Sequence, residues 1–191
     1  MPKGLGSCSR LTTLDVVAPM DLDLVIENAG LLAAIESVKA TLEVLDISGW
    51  APAFNGVLEL ISEIPRLHTL VAQRNELTAV PALPATLRSL DISGANEFTD
   101  VPVQLESLTQ LTYLALSSKP ASASFQIRCP LDALISLPQL QKLTLVHDGS
   151  ASRPVHTIWG AKSLYYLGLA HHEIASSKSS LVLNFTSAKG S

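Results

Sequence analysis

The stretch Val101-Pro-Val-Gln-Leu-Glu-Ser-Leu-Thr-Gln-Leu-Thr-Tyr-Leu-Ala-Leu116 changes its apolar period partway along. Apolar residues stand at 101, 105, 108, 111, 114 and 116, first three or four apart and then two apart. The first spacing suits one face of a helix; the second suits a strand with one buried side. A helix-like segment therefore bends directly into a short strand. The strand part, L-x-x-L-x-L, recurs along most of the chain. Such recurrence constrains the architecture more than any other feature, because each unit can bury its apolar side only by stacking on the next.

Seven segments fit L-x-x-L-x-L with conservative replacements, starting at Leu11, Leu42, Leu67, Leu87, Leu111, Leu140 and Leu164. Successive starts lie 20 to 31 residues apart. Between them, Leu31, Leu32, Ile35 and Val38 predict one face of a helix, as do Val57, Leu58, Ile61 and Ile64 ahead of Pro65. Leu131, Leu134 and Leu137 do the same ahead of Pro138. The coil starting at Leu67 spans only 20 residues to the next start and holds Pro81 and Pro84, so its returning segment is expected to be extended. Ser117 to Arg128 reads as a protruding polar loop. The expected organisation is an extension over residues 1–10, a repeat domain of about seven coils over 11–175, and a Ser/Lys-rich tail over 176–191. Within the tail, Leu181-Val-Leu-Asn-Phe185 is a candidate last edge strand.

The run Leu67-His-Thr-Leu-Val-Ala-Gln-Arg-Asn75-Glu-Leu77-Thr-Ala-Val80-Pro81 matches L-x-x-L-x-L-x-x-N-x-L-x-x-L-P, with Ala72 and Val80 in place of Leu. On these residues the chain resembles the leucine-rich repeat family, over about Leu11 to Ile174. The resemblance implies an α/β solenoid, a curved horseshoe with a parallel β-sheet on its concave face and helical or extended convex segments. It also implies an inward-pointing Asn75 that hydrogen-bonds backbone groups of neighbouring coils. A tight buried turn leaves amide groups that need such partners. Trp50, Lys119, Asp148 and His172 hold the aligned position in other coils, and Asn96 falls one residue late in the coil starting at Leu87. The asparagine ladder is therefore expected to be incomplete and those turns irregular. Asn75 to Leu87 also looks locally like the short repeats of bacterial ubiquitin-ligase effectors.

The chain has 191 residues, 47% hydrophobic and 16% charged, enough for a sizeable core. A net charge of −4 without a Lys/Arg block argues against nucleic acid as a partner. Cys8 and Cys129 stand alone, outside any zinc or disulfide spacing. The absence of an apolar leader or a membrane-length run gives a cytoplasmic expectation with no membrane partner. Asn184-Phe-Thr186 matches a glycosylation sequon and, in that setting, reads as chance. No nucleophile elbow, phosphate loop, dinucleotide fingerprint or zinc-protease motif occurs, and no cofactor is expected.

If the inner leucines of each repeat face the core, the intervening residues face outward. One outward column then reads Thr13, Val44, Thr69, Ser89, Tyr113, Lys142, Tyr166; the other reads Asp15, Asp46, Val71, Asp91, Ala115, Thr144, Gly168. Strands about 4.8 Å apart would make Tyr113, Lys142 and Tyr166 a ladder. Tyrosines and cations are frequent binding anchors, although tyrosines also simply fill an open face. Asp46 and Asp91 would present an acidic field to a basic surface, or merely stand on a solvated strand. His147 and His171, with Asp148, form a nominal zinc trio on turns; ordinary exposed turn residues explain them better.

The expected function is recognition of a protein partner by the concave face, without catalysis, through Asp46, Asp91, Tyr113, Lys142 and Tyr166. One alternative is the recognition part of a larger signalling enzyme, a receptor-like kinase or ubiquitin-ligase effector. Another is a structural role in which solenoid edges pair into a dimer.

Overall fold

The computed structural model describes residues 8, 10–18, 28–50, 55–77, 79–80, 82–94, 103–118, 137–147, 166–171 and 180–184. Every L-x-x-L-x-L segment contains a strand. These are β1 (Thr13–Asp15), β2 (Val44–Asp46), β3 (Thr69–Val71), β4 (Ser89–Ile92), β5 (Tyr113–Ser118), β6 (Lys142–His147) and β7 (Tyr166–His171). They pair in chain order and in parallel, and β8 (Ser180–Asn184) closes the sheet antiparallel to β7. A sequential parallel sheet of this kind is consistent with a repeat solenoid. The tail strand read from Leu181 to Phe185 is β8, with bounds Ser180–Asn184.

The leucines stack as the period demands. Leu14, Leu45, Leu70, Leu90, Leu114 and Leu143 occupy one register row, and all are buried. The first leucines of the motif, Leu42, Leu67, Leu87, Leu111 and Leu140, form a second buried row, and Ile47, Ala72, Ile92 and Leu116 a third. In the first coil Leu11 and Val16 are only partly buried.

The same backbone bonds recur from coil to coil. The carbonyls of Thr12, Glu43, His68, Arg88 and Thr112 each accept two successive N–H groups of the next coil. Thr41 and Thr86, each just before a first leucine, donate their hydroxyls to the carbonyls of Leu11 (2.7 Å) and Leu67 (2.6 Å).

Helix α1 (Asn28–Val38) buries Leu31, Ile35 and Val38, and α2 (Asn55–Ile61) buries Val57 and Ile61. Ile64 lies beyond α2, in tighter turns where Glu63 and Ile64 donate to carbonyls three residues back. Pro65 disfavours helical backbone at Ile64, which still reaches the core. Lys39 ties the helices together, bonded to Glu36 (2.7 Å) and Glu63 (3.0 Å). These two carboxylates, Glu36 foremost, hold its ammonium above its usual range. Residues 82–88 contain no helix, in keeping with Pro84. The helix-like spacing ahead of β5 is realised as a 3-10 turn, Val103–Ser107. Leu137 is buried, whereas Leu131 and Leu134 lie outside the described residues.

Two expectations about loops need correction. Ser117 and Ser118 are not the start of a loop but the end of β5, paired with Val146 and His147. His147 and His171 do not lie on turns; they end β6 and β7, paired with each other. In all three strands the chain stays extended to these residues. Lys119, Asp148, His172, Asn96 and Cys129 lie outside the described residues.

Candidate functional site

The face opposite the leucine rows is built from strand alternation. Residue pairing gives the row Thr13, Val44, Thr69, Ser89, Tyr113, Lys142, Tyr166, and the row Asp15, Asp46, Val71, Asp91, Ala115, Thr144, Gly168. These are the two columns expected from the repeat. The register brings Tyr113, Lys142 and Tyr166 onto adjacent strands. Lys142 Nζ stands 4.9 Å from the centroid of the Tyr113 ring. At that distance the ring quadrupole attracts the ammonium. Both side chains are half-buried, so the pair is neither a packed core nor a freely solvated surface. Tyr166 stands beside Lys142 in register on β7.

Ala115 departs from its neighbours in that row. It is buried, at 2% exposure, although its position alternates with the core leucines. Its methyl group lies in register between Asp91 and Thr144 of the adjacent strands.

Asp46 and Asp91 have local partners. Asp46 Oδ1 accepts the Ser48 N–H (3.0 Å) and the Ser48 hydroxyl (2.7 Å). Asp91 Oδ1 does the same with Ser93, at 3.0 and 2.6 Å. Each carboxylate thus closes the turn after its strand, the role Asp takes because its short side chain reaches the backbone two residues on. The middle coil has Val71 where its neighbours have Asp, and Gln73 spans the gap. Its N–H donates to Ser48 Oγ (3.2 Å) and its Nε2 to Asp91 Oδ2 (2.7 Å). Asp46, Ser48, Gln73, Asp91 and Ser93 form one hydrogen-bonded network across three coils.

A sequence signal for this network exists in the near-identical runs Ala40-Thr-Leu-Glu-Val-Leu-Asp-Ile-Ser-Gly49 and Ala85-Thr-Leu-Arg-Ser-Leu-Asp-Ile-Ser-Gly94. The motif L-x-x-L-x-L registers only the leucines of these runs. Their Thr, Asp, Ser and Gly make the intercoil and turn contacts. Gly49 and Gly94 have φ of 81° and 76°, where a side chain is strained.

The inward asparagine is present. Asn75 is buried; its Nδ2 donates to the Ile47 carbonyl (3.0 Å) and its Oδ1 accepts the Trp50 N–H (2.6 Å). The coil before it needs no asparagine. Trp50 is buried, and its indole Nε1 donates to the carbonyl of Val16, the counterpart of Ile47 one coil earlier. In this coil, which lacks Asn, the indole thus supplies a donor to that carbonyl. Any N–H donor of suitable reach satisfies that carbonyl.

Two further features went unread in the sequence. Glu43, His68 and Arg88 follow one another at the position after the first leucine, with His68 Nε2 3.6 Å from Glu43 Oε2. On the helical side, a groove of about 430 Å³ is lined by Leu32, Ala33, Leu60, Glu36, Glu59 and Glu63. Among the described residues no three His, Cys, Asp or Glu are grouped to hold a metal, and no helix is long and apolar enough to cross a membrane. Cys8 is exposed.

What this face offers chemically is a broad, half-exposed array with one cation–aromatic pair, flanked by turn-forming carboxylates. Comparison of the sequence with protein-family models and with curated proteins finds no match to either.

Proposed function

We propose that this chain is a protein-binding solenoid of the leucine-rich repeat kind, with its sheet lining a concave surface that takes the partner. The observation that carries this reading is the Lys142 ammonium over the Tyr113 ring, on a face whose register is unbroken from β1 to β7. A half-buried aromatic held by a cation is a rigid anchor that loses little freedom on binding. Tyr166, next in register, extends that anchor. Asp46 and Asp91 contribute charge to the flank nearer β1, and their turn bonds fix where that charge sits.

The test pairs affinity capture with titration. Proteins retained by the wild-type chain from a cell extract are identified and titrated against the double variant Tyr113→Ala/Tyr166→Ala. Affinity is expected to fall about tenfold or more, as truncation of aromatic anchors gives. Urea melts of the variant should still show a cooperative transition. Unchanged affinity for every captured protein would sink the aromatic ladder as a contact site.

A further inference from the structure

We infer that the β8 edge pairs with the β8 edge of a second copy of this chain, in an antiparallel arrangement about a twofold axis through Val182. Four observations carry this. First, β8 is the terminal strand of the sheet, and among the described residues it pairs only with β7. A strand paired on one side presents a row of backbone donors and acceptors on the other.

Second, β8 lacks the usual guards. Its sequence, Ser180-Leu-Val-Leu-Asn184, contains neither a charge nor a proline. The opposite edge differs: β1 has three residues and ends on the exposed Asp15. Charged residues and short length are the common means of keeping an edge from pairing, and only β1 has both.

Third, the strand is palindromic in character. An antiparallel pairing centred on Val182 sets Val182 opposite Val182, Leu181 opposite Leu183, and Ser180 opposite Asn184. A twofold interface requires the same patch to complement itself, and this pattern does so at each of its five positions. Apolar residues directly opposite one another favour a pair of strands.

Fourth, the pairing prolongs the sheet in register. Leu183 pairs with Leu167 and Leu181 with Leu169, which in turn pair with Leu143 and Leu145. Across the twofold, leucine again meets leucine, so the rows of the repeat continue into the second copy. Each pairing on either side of the twofold, and the pairing at it, then runs antiparallel. Five residues make a small interface, so the dimer is reversible and concentration-dependent.

Sedimentation velocity on the full chain over a wide concentration range tests this, with Val182→Lys and Val182→Glu alongside. The wild type should pass from monomer to dimer. Each variant alone should dimerise about tenfold more weakly or worse, because two like charges meet at the twofold. An equimolar mixture of the two should recover the dimer, since only there does Lys oppose Glu. A wild-type chain that stays monomeric at every concentration overturns the proposal. So does a dimer that both variants retain, or a mixture that behaves as its components do. Should either variant fail to fold by circular dichroism, the native chain decides: amide exchange in residues 180–184 should slow as its concentration rises. Exchange that is independent of concentration overturns the pairing.

Discussion

The coils around β2 to β4 and those around β5 to β7 share one motif but end their strands differently. In the first group the strands have three or four residues; in the second they have six. The groups also differ in backbone at the position seven residues after the first leucine. Gly49, Arg74 and Gly94 stand there in the first group, with φ of 81°, 54° and 76°. Ser118, His147 and His171 stand there in the second, still within strands. A left-handed residue turns the chain away from the sheet; a residue that stays extended prolongs it. The turn does not cost the first group its intercoil bonds. Gly49 still donates to the Gln73 carbonyl (2.8 Å), and Arg74 to that of Ser93 (3.2 Å). The leucines thus fix the register everywhere, while the positive-φ residue of the first group bends the backbone without ending the intercoil bonds.

If the leucine rows are common to both groups, Leu45→Ala and Leu114→Ala should each destabilise by about 2–5 kcal/mol in urea melts. Both residues are fully buried. A loss within experimental error at Leu114 would mean that the register of the second group is wrong. Asn75→Ala acts on the first group alone. It leaves the Ile47 carbonyl and the Trp50 N–H without the amide, at about 1–3 kcal/mol. A neutral result would show that water replaces the amide and that the turn does not depend on it. Gly49→Ala places a methyl 3.1 Å from the Ala18 carbonyl oxygen at a positive φ, and should cost about 1–2 kcal/mol. The converse change, Arg74→Gly, relieves the same backbone strain while loosening the unfolded chain. The two effects are of similar size, so stability should move by no more than about 0.5 kcal/mol. If Gly49→Ala also proves neutral, the positive φ does not strain a side chain there.

The strand positions and their register were legible because a two-residue period admits only one placement of three leucines against a core. The helices were legible from their apolar stripes, but Ile64 was not separable from α2, since a buried turn residue and a helical one have the same hydropathy. Trp50 illustrates a second blind spot. The motif names a residue type, Asn, whereas the buried carbonyl asks only for a donor, and the indole of Trp50 supplies it. Asp46 and Asp91 show the limit for the candidate site. Alternation places them outward, yet Ser48 and Ser93, two residues later, draw each carboxylate into the turn. That interaction was readable in Asp-Ile-Ser-Gly, which occurs twice. The approach of Lys142 to Tyr113 was readable only as adjacency, because side-chain conformation is not contained in a register.

The bond from the Trp50 indole to the Val16 carbonyl has an optical consequence. The ring is 6% exposed and is joined to a backbone group of the first coil. In a stack where each coil touches only its neighbours, an end coil is free to peel away while the middle holds. Loss of the first coil would hydrate this indole and shift its emission to longer wavelength. The chain has two tryptophans. With the other, Trp159, replaced by Phe, fluorescence would follow the seating of one end of the stack, separately from the melting of the whole.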